Sequence, residues 1–334
     1  MTNSRGRRVT ARAAWGMARS LRQRARSVRR VTGLRSKMAM ARLVVAEVFR
    51  AEPERPAARP AVPVRVKSME GRVVWLRPRS SDRAAFEFLY QGYHLPPEPT
   101  GRVARIAVLG ANIGLLLGDL ADRYPHARLL GVEPDPDNAT LARRNLARLG
   151  ARCSVLEAAA WHRDEQLTLS WNADAWGQAL ACSPDRSGGA TVALQVDAVA
   201  AGQVQVDAID TGRLLDMFGS QGPIDYLLVN IESAWYEMLR HGEWTRNVRC
   251  IKIEIYDHYD EAVSMLEALG YRAQLRRLNW GAFVTGIRPW LPADRTPRPT
   301  VPEPGTIMAF GKSAVPGERP CDSTARQPRR PVPR

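Results

Sequence analysis

Short aliphatic runs alternate with amphipathic segments over the middle of this chain, and this alternation most constrains its fold. Runs rich in β-branched and aliphatic residues occur at 106–109, 129–132, 153–157, 226–231, 251–255, 272–278 and 282–287. Apolar residues at helical spacing lie between them, at 115–123, 136–149, 211–218, 234–241 and 259–269. Strands that alternate with helices form βαβ units, in which helices cover both faces of a mostly parallel sheet. We therefore predict a three-layer α/β fold.

The excess of basic over acidic residues is concentrated at the two ends of the chain. Residues 1–60 hold 16 of the 49 Lys and Arg and 3 of the 34 Asp and Glu, whereas residues 61–290 hold 25 and 27. The net charge of +15 therefore does not indicate a nucleic-acid surface on the folded middle. Of the 24 prolines, 11 follow residue 288. We predict a basic, partly helical or disordered arm with a proline-rich linker at 1–63, a folded domain at 64–290 and a disordered tail at 291–334.

The basic arm carries one apolar face among many arginines. The residues of this face recur at helical spacing: Trp15, Ala18, Leu21, Ala25 and Val28. A basic amphipathic helix can contact an anionic membrane surface or phosphates, and the alternative is a solvated arm. No apolar run reaches the roughly 18 residues of a membrane-spanning helix, and the four cysteines lie far apart without a C-x-x-C pair. We expect a cytoplasmic protein with reduced thiols.

The first predicted strand runs directly into a glycine turn. Gly110 follows the strand, Asn112 lies in the middle of the turn, and Gly114 precedes the next helix. Ligands of parallel sheets bind at the carboxyl ends of the strands, where the N–H groups of a following helix face a bound anion. The turn is therefore either part of a ligand site or a plain structural turn.

The second predicted strand ends in an acidic residue, Glu133. An acid at about this distance from the glycine turn accepts the ribose hydroxyls of a bound nucleoside, and the alternative is a helix cap. Dinucleotide enzymes and S-adenosylmethionine (SAM) enzymes share this signal. The turn here lacks the G-x-G-x-x-G spacing that brings a backbone against a pyrophosphate. Because SAM contains no pyrophosphate, the turn favours SAM as the cofactor.

Small and polar residues follow the later strands. Ala159 lies in an alanine run after the third strand, where small side chains leave room for adenine. Asn230 and Glu232 follow the fourth strand, and Glu254 lies in the fifth. An alcohol that accepts a methyl group benefits from a nearby base. Glu232 is the first candidate and Glu254 the second, followed by His258 or Asp257, although Glu232 can instead complement the dipole of the next helix. Asn230 can bind a ligand but cannot act as a base.

A metal site is also conceivable at these strand ends, from Glu232, Glu254 and Asp257. Asn230 stands where a further charged oxygen would be needed, and divalent cations such as Mg²⁺ and Ca²⁺ prefer carboxylate ligands. We therefore predict no metal site there.

The order of these motifs resembles the FkbM family of SAM-dependent methyltransferases. The resemblance covers about residues 83–288, and its segments are V-L-G-A-N-I-G, G-V-E-P-D-P, A-A-A-W-H-R-D, I-D-Y-L-L-V-N-I-E and I-K-I-E-I-Y. It implies a Rossmann-like class I methyltransferase sheet, mostly parallel with an antiparallel C-terminal strand. It also implies that Gly110, Asn112 and Gly114 line the methionine part of SAM and that Glu133 binds the ribose. The usual reaction of the family is methyl transfer to a hydroxyl of a sugar or small natural product.

The sequence departs from the family pattern mainly on the acceptor side. Val108 replaces a usual Asp before the glycine turn, and the K-I-D-I-E-G-A-E and E-x-H motifs are changed at Leu228, Asn230, Ser233, Trp235 and Tyr256. Three hypotheses follow: O-methylation of a small hydroxylated acceptor, SAM binding without catalysis as a partner protein, and methylation of nucleic acid held by the basic arm. The fourth strand lacks the Asn-Pro-Pro-aromatic signature of base methylation, which argues against the third. We predict the first.

Overall fold

A computed structural model describes residues 26–48, 60–69, 71–97, 103–171, 178–180, 203–220, 222–278 and 281–288. Within these residues the strands are β1 (Val62–Val66), β2 (Arg72–Leu76), β3 (Arg105–Leu109), β4 (Arg128–Glu133), β5 (Cys153–Glu157), β6 (Ala159–Trp161), β7 (Glu165–Trp171), β8 (Gln178–Leu180), β9 (Gln203–Asp210), β10 (Tyr226–Val229), β11 (Cys250–Ile255), β12 (Arg272–Arg277) and β13 (Ala282–Ile287). The α-helices are α1 (Arg26–Arg29), α2 (Leu34–Val48), α3 (Asp82–Leu89), α4 (Leu115–Arg123), α5 (Pro136–Leu146), α6 (Thr211–Phe218), α7 (Ala234–Arg240) and α8 (Tyr259–Ala268).

A seven-stranded sheet forms the centre of the fold, with the spatial order β12-β13-β11-β10-β3-β4-β5. The pairs β3–β4, β4–β5, β3–β10 and β10–β11 are parallel, and β13 runs antiparallel to both β11 and β12. The strand order reverses between β3 and β10, and this switch point is where open α/β sheets bind ligands. The predicted Rossmann-like sheet with an antiparallel last strand is confirmed.

The central strands are buried on both faces, which explains their continuous aliphatic sequences. In β3, Ala107 and Leu109 belong to one core cluster, whereas Ile106 and Val108 belong to a second cluster on the opposite face. The first cluster includes Leu214 of α6 and side chains of α7 and α8, and the second includes side chains of α4 and α5. Strand β3 therefore lies in the middle of three layers, as predicted.

Most predicted elements in the sheet match the structure to within a few residues. The predicted strand 226–231 ends at Val229, because the chain turns there and Glu232 has a φ of 52°. The predicted helix 136–149 ends at Leu146 and continues as a 3-10 turn, Ala147–Arg152. Several elements lie outside the prediction, among them the antiparallel pair β1–β2, helices α2 and α3, and a second sheet with the order β6-β9-β7-β8.

The segment before the sheet packs against residues at the start of α4. Met40 and Leu43 of α2 are buried in one cluster with Phe86 of α3 and with Ile113 and Leu115 at the start of α4. Strand β1 begins at Val62, so it crosses the predicted boundary at residue 63.

The predicted division of the chain into arm, domain and tail stays a prediction. Residues 1–25 and 291–334 lie outside the described residues, and with them most of the apolar face of the arm and the predicted tail. Within the described part of the chain, every helix is too short or too polar to cross a membrane.

Candidate functional site

The glycine turn after β3 is held against the end of β10. Gly110 has a φ of 80°, and a Cβ atom added there would lie 1.8 Å from the backbone oxygen of Asn230. The N–H of Asn230 donates to the carbonyl of Leu109 at 2.8 Å, so β3 and β10 stay paired up to this point. Only glycine fits at position 110, both for its backbone conformation and for the space available.

Gly114 lets α4 begin close to the neighbouring helix. It also has a φ of 80°, and a Cβ there would lie 2.9 Å from a methyl carbon of Leu146 and 3.1 Å from the Cα of Ala142, both in α5. Asn112 adopts a φ of 49°, and its side-chain oxygen accepts a hydrogen bond from the N–H of Ile113 at 2.7 Å. The three turn residues predicted to bind the cofactor therefore form one compact loop at the switch point of the sheet.

Glu133 holds this loop from the end of β4. Its carboxylate accepts hydrogen bonds from the N–H of Asn112 at 2.7 Å, from the N–H of Asp135 at 3.2 Å and from the side-chain amide of Asn138 at 3.3 Å. Glu133 is buried, which raises its pKa to about 7 even though the two backbone hydrogen bonds act in the opposite direction. The ribose contact predicted for Glu133 stays a prediction, because all three hydrogen bonds described here are internal.

The alternative role considered for Glu133, a helix cap, belongs to another residue. Asp135 is the N-cap of α5, and its side chain accepts hydrogen bonds from the N–H groups of Asp137 and Asn138. The Asp-Pro dipeptide at 135–136 is the sequence signal for this cap, since Pro is favoured at the first helical position.

Replacing Glu133 by Ala is expected to lower the free energy of unfolding by about 1–3 kcal/mol, because the backbone N–H groups of Asn112 and Asp135 lose their acceptor. Urea denaturation measures this difference. The matched control is Glu157→Ala: Glu157 lies directly opposite Glu133 in the β4–β5 register but is exposed, and it pairs with Arg143 at 2.9 Å. An exposed ion pair contributes little, so this variant should stay within about 1 kcal/mol of the wild type. Equal losses in both variants would contradict the structural role assigned to Glu133.

The other two residues predicted to bind the cofactor lie in different surroundings. Asn230 is half-buried, directly after β10 and against the glycine turn. Ala159 is fully buried in β6, where it pairs with Ala208 of β9 in the second sheet. Its methyl group is part of the core in this structure, and the predicted adenine contact at Ala159 stays a prediction.

Two carboxylates lie at the ends of the neighbouring strands β10 and β11. Glu232 follows β10 in a left-handed backbone conformation, directly before Ser233, the N-cap of α7. Glu254 is buried in β11 and accepts a hydrogen bond from the hydroxyl of Tyr256 at 2.7 Å. Burial raises the pKa of Glu232 to about 7. Burial also raises the pKa of Glu254 to about 7, with a further contribution from the charge of Glu232.

These pKa values suit the carboxylates for proton transfer near neutral pH. A base is most effective when its pKa lies near the working pH, and carboxylates with perturbed pKa values are typical of functional sites. The structure brings Glu232 and Glu254 close enough to interact electrostatically, as their positions at adjacent strand ends predict. Their role in catalysis stays a prediction.

Tyr256 is a member of this group that the sequence analysis treated only as a departure from a family motif. Its hydroxyl is the hydrogen-bond donor to Glu254, and burial and the two carboxylates raise its pKa. The residue itself is 43% exposed. The period of two along a strand places residues 254 and 256 on one face, and this spacing was the signal available in the sequence.

The remaining residues near these strand ends fill other roles. His258 adopts a φ of 52° at the N-cap of α8, and its Nδ1 lies 3.3 Å from a carboxylate oxygen of Glu261. Trp235 is buried in the same core cluster as Met238, so it belongs to the core under α7.

No protein-family model matches this sequence, and no curated protein sequence matches it. Several solved structures are similar to it at low identity. A precorrin-6y C5,15-methyltransferase from Geobacter metallireducens is 11% identical, with 62% of this chain and 89% of that chain covered and a TM-score of 0.35. An O-methyltransferase family protein from Burkholderia thailandensis is 12% identical over 62% of this chain and 56% of that chain, with a TM-score of 0.35. TrmK of M. capricolum in complex with S-adenosylhomocysteine (SAH) is 11% identical over 60% of this chain and 67% of that chain, with a TM-score of 0.33. The fold assignment rests on the strand order of the sheet and not on these similarities.

Proposed function

We propose that this chain is a SAM-dependent methyltransferase of the FkbM kind, which methylates a hydroxyl oxygen of a sugar or small natural product. The observation that carries this proposal is the compact turn 110–114 at the switch point of the sheet, tied by Glu133 to the next strand. A glycine turn and an acidic residue on neighbouring strands match the requirements of a nucleoside ligand without a pyrophosphate.

The backbone of the turn and the charge of Glu133 support the binding of this cofactor. Gly110 brings the backbone against the end of β10, and α4 begins directly after Gly114. The first turn of a helix has N–H groups without intrahelical partners, which suit the carboxylate of the methionine part. Glu133 lies beside the turn, where a carboxylate can accept a further hydrogen bond from a ribose hydroxyl.

Glu232 is the base in this proposal. SAM supplies an electrophilic methyl group, whose bond to sulfur breaks with the electron pair left on sulfur. Glu232 in its ionised form takes the proton of the acceptor hydroxyl as the oxygen bonds to the methyl carbon. Glu254 interacts electrostatically with Glu232 and accepts a hydrogen bond from Tyr256. These two residues therefore contribute to the electrostatic potential at the acceptor oxygen. Positioning of the acceptor contributes most of the rate, and the base contributes the remainder.

Two residues support the alternative that the chain binds SAM without catalysing methyl transfer. Asn230 cannot act as a base, and Trp235 is buried in the core instead of facing an acceptor. A nucleic-acid acceptor has less support, because the excess of basic over acidic residues is concentrated outside residues 61–290.

A single-turnover assay with labelled SAM and a panel of sugar and polyketide hydroxyls tests the proposal. Glu232→Gln is expected to keep SAM affinity and to lower the single-turnover rate about 10²-fold at neutral pH, the usual contribution of a positioned base. The wild-type rate should rise as the pH increases through about 7, where Glu232 becomes ionised, and this rise should be absent from Glu232→Gln.

The control for this variant is Glu243→Gln, which changes an exposed glutamate just beyond α7 and should leave the rate unchanged. Full turnover in Glu232→Gln would remove Glu232 as the base. SAM binding by the wild type without methyl transfer to any acceptor would favour the non-catalytic alternative.

A further inference from the structure

Three side chains with potential metal ligands converge at the C-terminal end of α7. His162 follows β6, Glu237 lies in α7, and His241 directly follows that helix. One ligand atom from each of these residues lies within 4.8 Å of the other two. The cluster joins segments that are distant in sequence, and it is separate from the carboxylates at the ends of β10 and β11.

The two histidines are arranged face to face. Their ring centroids are 4.3 Å apart, and the ring planes differ by 23°. The nitrogen lone pairs of these stacked rings lie in nearly parallel planes, so one imidazole must rotate for both histidines to bind the same ion. The Nδ1 of His162 is buried and has no hydrogen-bond partner among the described residues, which is unfavourable for a polar atom unless another ligand contacts it. An imidazole nitrogen without a hydrogen bond is a ready metal ligand.

Glu237 completes the set with a carboxylate oriented by its neighbours. One of its oxygens lies 3.3 Å from the Nε2 of His241, four residues further along the helix. The other oxygen accepts a hydrogen bond from Arg240 at 3.2 Å. The i, i+4 spacing places Glu237 and His241 on one face of the helix, as in helical zinc motifs.

We propose that His162, Glu237 and His241 bind one divalent transition-metal ion such as Zn²⁺. Two imidazoles and one carboxylate form a common ligand set for this class of ion, with bonds of about 2.0–2.2 Å and a fourth position for water. Hard cations such as Mg²⁺ prefer oxygen ligands and are disfavoured by this set. The ion clamps the end of β6 to α7, the helix that directly follows the Glu232 turn.

Metal titration of the tag-free full-length chain, stripped with a chelator, tests this site. Co²⁺ serves as the visible probe, and Zn²⁺ is measured by competition with a chromophoric chelator. We expect one equivalent of Co²⁺ to give the intense visible absorption of a four-coordinate site and to be displaced by Zn²⁺. Zn²⁺ should also raise the thermal unfolding temperature of the wild type, because it binds the folded state.

The variants assign the ligands. His162→Ala and His241→Ala should each lose the stoichiometric Co²⁺ spectrum and the thermal shift, and Glu237→Gln should weaken binding with little change in shape. The matched control is His126→Ala, which removes an exposed histidine between α4 and β4 and should bind as the wild type does. Circular dichroism of the metal-free variants separates loss of ligands from loss of fold.

Failure of the wild type to bind Co²⁺ or Zn²⁺ would overturn the proposal, whatever the variants do. Retention of the spectrum and the thermal shift in folded His162→Ala would overturn it as well. Neither result bears on the methyltransferase proposal, since the metal titration contains no SAM.

Discussion

Gly110→Ala is expected to lower the free energy of unfolding by at least about 4 kcal/mol, a loss large enough to leave the chain unfolded or nearly so. The added Cβ would lie 1.8 Å from the backbone oxygen of Asn230 and 2.7 Å from its carbonyl carbon. Backbone atoms cannot move aside as a flexible side chain can, so the end of β10 would have to separate from β3. The φ of 80° adds the usual cost of a left-handed conformation for alanine.

Gly270→Ala is the matched control for this variant. Gly270 has a φ of 84°, nearly the same as Gly110, but a Cβ added there meets nothing within 4 Å. This variant should cost only about 1–2 kcal/mol, the contribution of the backbone conformation alone. Urea denaturation of both variants separates the cost of the steric overlap with Asn230 from the cost of the left-handed backbone conformation. Similar losses in Gly110→Ala and Gly270→Ala would show that the close approach at Asn230 has no energetic weight.

Glu254→Gln is expected to stabilise the protein above neutral pH, by on the order of 3 kcal/mol at pH 8. The pKa of Glu254 is raised from 4.5 to about 7 in the folded state. Between these two values the unfolded chain releases a proton that the folded chain keeps, so wild-type stability falls as the pH rises through this window. Below about pH 4.5 the carboxyl is protonated in both states, and the variant should gain nothing from the removed charge.

Urea unfolding of wild type and variant between pH 4 and pH 8 tests this expectation. Glu267→Gln is the control, because Glu267 is exposed on α8 and its replacement should give the same small difference at every pH. A wild type whose stability rises through this pH window, with no gain in Glu254→Gln, would mean that Glu254 is ionised without cost. The raised pKa assigned to Glu254 would then be wrong.

The strands of the central sheet could be predicted from the sequence because they are buried on both faces. Ile106 and Val108 face one helical layer and Ala107 and Leu109 the other, so the apolar run has no polar interruption. The glycines at 110 and 114 then mark where the chain leaves the sheet. Buried parallel strands and sharp turns are local signals, and the prediction was accurate where those signals are strong.

The elements that escaped prediction have weaker or ambiguous local signals. In β1, Pro63 and Arg65 alternate with valines at the period of a strand, but the prolines before it favoured a linker, and pairing with β2 stabilises the strand. Helix α2 reads as part of a basic arm, although Met40 and Leu43 are buried against α3 and α4. Tertiary contacts, which a single sequence does not display, decide both elements.

In the candidate site too, the sequence predicts the positions of residues along the strands but not the tertiary contacts that these residues make. The spacing along the strands predicts the neighbourhood of Gly110, Glu133, Glu232 and Glu254. It does not predict that Glu133 binds the backbone of its own turn, because that contact depends on how closely β3 and β4 approach. The cluster of His162, Glu237 and His241 is equally invisible in the sequence, since the second sheet brings the first of these residues to α7.

Calorimetric titration of the tag-free chain with SAM, SAH and NAD tests most directly whether the glycine turn and Glu133 form a SAM site. We expect SAM and SAH each to bind one site per chain and to compete with each other, and NAD to produce no binding heat. The turn at 110–114 lacks the glycine spacing for a pyrophosphate, and Glu133 beside it has a carboxylate that can accept ribose hydroxyls. Binding of NAD, with no binding of SAM or SAH, would contradict the assignment of this chain as a SAM-dependent methyltransferase.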